Sequence, residues 1–432
     1  MKKVVIALGA IVCVGLVGPK VIGSIVEQKY DDIASRFVDH PSIEIVERSF
    51  TTHWFSGQSV TKMKIKGVAA EIEDFQLIVN EQLTFGPVIF ADNSVNFALA
   101  HSNANLDFDV SSLDQEAQND ITEFTDQLNE KLTISSIITY GLNYTTQVMM
   151  AATTFEEDGN TIDIGALDSE FTLEDDKYIS GYLNWSGLDF KGPEANVQLS
   201  PLESTFSQEI IDGDIYSGNG LSIGDFSMLI KSISAQDNQG NDLLSIENLT
   251  LSADSQIEDE LMNIGVKYGA DRFKGAGQEL EKLNLDISFN RLDPKVLMEI
   301  NDWATKMQQD PENFEHYNQQ LMTVATKLLT KDPELNINDF SVLTSEGAIK
   351  SDLQLMVDHT RYDQANPMSI MAALKADAKG VAPLPFFQKM GLEGMINMYI
   401  EQGFIIKKEA ELSFAAQFAQ GQLTVNGQAI AL

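Results

Sequence analysis

The residues able to do acid–base or metal chemistry in this 432-residue chain are few and scattered. Its five histidines are His40, His53, His101, His316 and His359. No two stand four residues apart, the spacing that turns two imidazoles toward one zinc ion from a single helix face, and the only cysteine, Cys13, has no partner to complete a thiolate site. A G-x-S-x-G string occurs at Gly220-Leu221-Ser222-Ile223-Gly224. A nucleophile elbow needs a helix after such a string, but Asp225 to Ile233 alternate like a strand. Asp212-Gly213-Asp214 reads as a hairpin turn, since no complete calcium-loop spacing follows any Asp-Gly pair. No glycine-rich phosphate loop is present. The sequons at Asn143, Asn184 and Asn248 are read as incidental beside a bacterial-type export signal. These residues predict no catalytic site, no metal and no cofactor.

Charge narrows the partners. The chain carries 64 acidic and 29 basic residues, a net charge of -35. Such a surface repels nucleic-acid phosphates and gains little from anionic headgroups. The acidic residues are dispersed, which suits a solvated surface. With Cys13 as the sole cysteine, no disulfide framework can form.

The elements that position everything else begin with the first 26 residues. Met1-Lys2-Lys3 precede an apolar run from Val4 to Gly18, then Pro19-Lys20, then Val21 to Val26. Two lysines before an apolar run make an export signal, and no A-x-A-like cleavage site follows. Read as one helix, Val4 to Val26 is about 34 Å long and can span a bilayer, with Lys20 snorkelling from its distal end. The expectation is a retained signal anchor over 1–26, single-pass through a bacterial inner membrane by residues 4–26. The positive-inside rule keeps the N-terminus cytoplasmic and places the remainder in the periplasm.

Beyond the anchor, period-2 alternation dominates, as in half-buried antiparallel strands. It appears at Met63 and Ile65; at Val95, Phe97 and Leu99; at Leu106, Phe108 and Val110; and at Leu412, Phe414, Ala416 and Phe418. Helical spacing appears at residues 112–132, 293–307 and 312–330. The segment 385–400 is apolar on most sides and too short to span a bilayer. Its Phe386, Phe387, Met390, Met395 and Tyr399 are the candidate contacts for an apolar ligand. An internal repeat, L-x-I-x-D-F-S-x-L, occurs at Leu221–Leu229 and Leu335–Leu343, with a looser copy at Ile72–Leu77. Its phase step at Asp-Phe predicts a β-bulge or bend. The fold class expected is mainly β with interspersed helices: a transmembrane helix, then an extended, partly repetitive antiparallel sheet. The division expected is a β-rich region over 27–255 and an α+β region over 256–432.

Three features together resemble the YdgA family of Gram-negative envelope proteins. One is the Lys-Lys anchor followed by acidic residues. Another is Glu47-Arg48-Ser49-Phe50-Thr51-Thr52-His53-Trp54-Phe55-Ser56-Gly57, which looks like that family's "R-G-W-F-S" segment, although the stretch Ser49 to His53 is longer here and lacks the glycine. The third is the closing run from Gln402 to Gly427, similar to the family's "G-x-L-x-V-N-G" hairpin. The resemblance implies the location and fold and supplies no catalytic residue. At the level of layout the chain also resembles AsmA-like envelope proteins, one membrane helix before a long periplasmic sheet. The function expected is a non-enzymatic protein that binds a hydrophobic envelope ligand, lipid or lipoprotein, or scaffolds envelope proteins. The alternative is a periplasmic hydrolase whose pocket unites His53, His101 or His359 with carboxylates or a serine. Nothing in the sequence sets an oligomeric state.

Overall fold

The computed structural model describes the backbone of residues 2–66, 76–91, 94–111, 115–157, 159–275, 277–310 and 313–430. Side chains are described from residue 19 onward, apart from those gaps and residues 39, 65, 116, 117, 120, 124, 157, 308 and 309.

A long helix, α1 (Lys2–Arg36), leads into β1 (Ile43–Thr52), β2 (Ser56–Ile65) and β3 (Gln76–Phe85). A small separate hairpin, β4 (Ile89–Ala91) and β5 (Ser94–Asn96), precedes β6 (Ala100–Phe108). Helix α2 (Gln115–Lys131) then leads to β7 (Leu132–Ile138) and β8 (Tyr144–Met150). Short strands follow: β9 (Thr153–Glu157), β10 (Asn160–Ile164), β11 (Leu167–Glu174), β12 (Tyr178–Trp185), β13 (Leu188–Lys191), β14 (Ala195–Leu199) and β15 (Leu202–Asp212). Four long strands form the middle: β16 (Leu221–Asp237), β17 (Asp242–Glu258), β18 (Leu261–Gly275) and β19 (Gln278–Leu292). The helical pair α3 (Pro294–Gln309) and α4 (Phe314–Leu328) intervenes before β20 (Glu334–Thr344) and β21 (Gly347–Val357). The chain closes with α5 (Ile370–Ala373), β22 (Leu374–Pro383), α6 (Leu384–Lys389), α7 (Glu393–Glu401), β23 (Ile406–Lys408), β24 (Glu411–Ala419), β25 (Gln422–Val425) and β26 (Gln428–Ile430).

Every strand except the β4–β5 pair joins one antiparallel sheet. Its main ladder runs β1-β2-β3-β6-β7-β8-β11-β12-β15-β16-β17-β18-β19-β20-β21-β22-β24. The sheet forks at β16, where Leu221–Ile230 pair with β15 and Ile233–Asp237 pair with β14 on the same edge. The second arm continues through β13 and β10 to β9. The mainly-β antiparallel expectation therefore holds. The boundary drawn at 255/256 falls inside β17, so the two regions expected on either side of it share one ladder.

Helix α1 continues through Pro19 and past Val26 to Arg36. Ile22 and Val26, assigned to the anchor by sequence, are buried against Leu83, Phe85, Leu99, Ala100 and Ile138. Lys20 donates to the Thr52 carbonyl at 3.3 Å, so the protein body takes up the charge that a lipid headgroup would otherwise meet. Among the described residues no helix is long and apolar enough to cross a membrane. The run Val4–Gly18 is helical in its backbone, and its side chains lie outside the described residues. The apolar segment 385–400 is two short helices, since Gly391, at φ +73, separates α6 from α7. Val95, Phe97 and Leu99 do not form one strand: the chain leaves β5 after Asn96, Val95 and Phe97 point to solvent, and Leu99 alone is buried. The two close repeat copies differ in mechanism. In β20 the pairing skips between Ile337 and Phe340, the expected bulge, which keeps both on one face. In β16 the pairing is regular there, so Ile223 and Phe226 fall on opposite faces. Most of the looser copy, Ile72–Phe75, lies outside the described residues.

Candidate functional site: an open apolar face

Residues opposite each other in an antiparallel ladder share a face. Tracing those partners across the sheet gives Phe206–Phe226–Ala253–Val266–Ile287–Ile337–Leu353–Ala378–Ala416–Val425, one apolar side chain on each of ten successive strands from β15 to β25. Beside it, two residues along, runs Ile264–Phe289–Leu335–Leu355–Ala376–Phe418–Leu423. On its other side runs Met228–Leu251–Tyr268–Leu285–Phe340. The opposite face is polar: Thr205, Ser227, Ser252, Lys267, Asp286 and Asp339 stand in one row, with Lys267 and Asp286 paired at 3.2 Å. This is the apolar/polar split of an antiparallel sheet with one face to water, repeated until three adjacent rows make a lane.

The lane is not packed shut. Tyr268, Phe289 and Phe340 remain 46%, 38% and 40% exposed, where a sealed core would leave aromatic rings nearly inaccessible. The accessible surface of 24986 Å² is about one and a half times the ~16,400 Å² of a compact protein of 47.7 kDa. Helices pack on parts of this face. The pair α6–α7 packs Leu384, Phe387, Ile396 and Ile400 onto Leu412, which shares the lane's face through its partner Ala382. Beyond β15, across β12, β11 and β8, α1 covers β1, β3, β6 and β7 on the same face.

Under α1 the same face carries the apolar cluster around Ile22 and Val26 and, beside it, a buried polar group. The Tyr30 hydroxyl donates to the Glu81 carboxylate at 3.0 Å, and Ser102 donates to it at 3.4 Å. Burial pushes the Glu81 carboxyl above the ordinary value for glutamate, against the hydrogen bonds from Tyr30, Ser59 and Ser102 and the charge of Arg48, all of which favour its ionised form. Arg48 lies over the rings of Tyr30 and Phe50 and reaches Asp31 at 2.7 Å. The end of α1 is held by ions: Asp176 accepts from Lys29 at 2.8 Å and from Arg36 at 3.0 Å, while Arg36 also reaches Asp214 at 2.7 Å.

The five residues singled out from sequence divide. Phe387 packs in the α6–α7 cap, with Phe386 edge-on to it at 5.4 Å. Met390, Met395 and Tyr399 face outward beside the capped end of the lane. The lane itself escaped sequence reading, because each strand shows only its own alternation and the rows appear once cross-strand register is known. The histidines sit on separate elements. His53 lies in the β1–β2 turn, His101 is buried on β6, and His359 follows β21, within 2.7 Å of Asp332. Ser222 is inside β16 with its hydroxyl on Gln208 at 2.8 Å, and the strand runs on to Asp237, without the helix an elbow requires. Among the described residues no cluster of three or more His, Cys, Asp or Glu could hold a metal ion.

The whole chain, residues 1–432, matches a bacterial protein family of unknown function, DUF945. The chain belongs to that family. No curated protein and no solved structure matches it. For this DUF945 chain the apolar lane is accordingly the feature from which function has to be argued.

Proposed function

We propose that this protein is tethered to the bacterial inner membrane by the apolar run at its N-terminus and holds the acyl part of an envelope lipid or lipoprotein along the lane in the periplasm. The observation that carries this reading is the ten-strand apolar row flanked by the half-open rings of Tyr268, Phe289 and Phe340. An apolar surface of that extent is costly to leave wet, and acyl chains remove it from water without needing a hydrogen-bonding partner. The polar opposite face and the net charge of -35 keep the rest of the body solvated. The layout of one N-terminal helix before a long sheet agrees with the likeness to YdgA and AsmA-like envelope proteins. The role needs no catalytic group.

The test is mass spectrometry of lipids that co-purify with the detergent-extracted full chain. The expected result is enrichment of acylated lipid over a membrane protein carrying only the N-terminal helix. Recovery of no enriched lipid, under conditions that retain one on a known carrier, would sink lipid binding and leave scaffolding of envelope proteins.

A further inference from the structure

Along β1 the contacts of α1 climb toward the strand's end: Asp31 meets Arg48, Tyr30 meets Phe50, and Glu27 and Lys20 both meet Thr52. Gly23 lies so close that a Cβ there would come within 2.7 Å of Thr52 and 2.8 Å of Phe85, the last residues of β1 and β3. The helix backbone N-terminal to Lys20 therefore runs on past the strand ends for about 27 Å, and it carries the apolar run Val4–Gly18.

Among the loops that leave the sheet at that same end, three are joined by hydrogen bonds around the β4–β5 hairpin. Phe85 N–H donates to Phe55 at 2.9 Å, Gly86 to Leu99 at 2.7 Å, Leu99 to Ile138 at 2.8 Å, and the Tyr140 hydroxyl to the Pro87 carbonyl at 2.9 Å. Ile89 and Ala98 are buried beneath them and hold the β4–β5 hairpin in place. Apolar side chains stand outward there: Phe90 is 80% exposed and Phe97 74%, with Phe55, Val88, Val95 and Tyr140 also exposed. Across residues 53–57, 86–99 and 139–143 the sole acidic residue is Asp92, and acidic charge at this end stands at the neighbouring β11–β12 turn, Glu174, Asp175 and Asp176, whose Asp175 N–H donates to Asn143 at 3.0 Å. An exposed aromatic ridge nearly spared of acidic charge suits the interfacial zone of a bilayer, where rings bury among headgroups and carboxylates are repelled.

We propose that this ridge is a membrane-seating surface: Phe55, Phe90, Phe97 and their neighbours insert into the headgroup–acyl boundary beside the tether and fix the sheet's orientation on the bilayer. The proposal rests on the tethered reading above. With it, the apolar seat of α1 at Ile22 and Val26 lies next to the membrane and the lane begins several strands away.

The test uses the full chain in vesicles of phosphatidylethanolamine and phosphatidylglycerol containing spin-labelled quencher lipid. An environment-sensitive fluorophore is placed at Phe90→Cys, Phe97→Cys or, as a remote control, Leu243→Cys, each in a Cys13→Ser background, and in a further sample at the native Cys13. Leu243 is exposed at the far end of the long strands, so its label should keep its emission. The expected result is a blue shift and loss of fluorescence at 90 and 97. Full emission at 90 and 97 with quenching at Cys13 overturns the seating surface and leaves the tether standing. Full emission at all three overturns both. Because Phe90 and Phe97 are exposed, the labelled variants should melt with the unsubstituted chain, which separates loss of contact from loss of fold.

Discussion

Glu81 shows how a single residue records the packing of α1. Its carboxylate sits on the covered face of β3, satisfied by Tyr30 and Ser102, yet burial holds its pKa above the ordinary value. A carboxyl raised in the folded state favours folding most below the unfolded value, and that advantage is lost as pH climbs through the folded value. Glu81→Gln keeps an acceptor for the Tyr30 hydroxyl and removes the buried charge. We expect the variant to melt above the unsubstituted protein at pH 8 and the gap to close by pH 4. Parallel thermal melts across that range check the sign, and a gap independent of pH would contradict the assignment.

At the scale of the element, α1 is held to the sheet by two different means. Ile22 and Val26 bury apolar surface at one end, and Lys29 and Arg36 clasp Asp176 at the other. Burial alone would raise the Asp176 pKa, but the hydrogen bonds from Lys29 and Arg36 outweigh it and hold the carboxyl below the usual range. Its stabilisation is therefore present above the unfolded value and is lost as pH falls through the folded one. Asp176→Asn leaves two mostly buried cations short of a partner and should cost about 1–3 kcal/mol. Hydrogen exchange should quicken in residues 28–36 first, since the apolar contacts at Ile22 and Val26 remain. Uniform loss of protection across the sheet would instead make the ion network part of the global core.

The whole molecule is an open ladder. Its accessible surface far exceeds that of a compact chain of its mass, and the excess includes the lane. Placing charges in the middle of that lane tests whether its apolar character is used. Tyr268→Asp with Phe289→Asp should reduce co-purified acylated lipid several-fold. It should cost at most about 1–2 kcal/mol, because both rings are already part-exposed and lose little burial. Unchanged lipid recovery from a folded variant would show that the lane is not where lipid sits.

The sequence alone determined the class of the protein. Period-2 alternation is local, so Met63 and Ile65, or Phe414, Ala416 and Phe418, declare half-buried antiparallel strands without any partner in view. Helix periodicity likewise marked α2, α3 and α4 to within a few residues. Tertiary structure decided what those faces do. Ile22 and Val26 are as apolar as the run before them, and only docking onto Phe85 and Ile138 assigns them to the body. Val95 and Phe97 alternate like buried residues, but the β4–β5 hairpin turns them outward. The apolar lane depends on cross-strand register, which pairs residues as distant as Phe289 and Leu335, and on rings such as Tyr268 and Phe340 that stay part-exposed in the folded chain. Burial is a property of the assembled sheet, so neither the lane nor the exposed ridge is encoded at any one strand's residues.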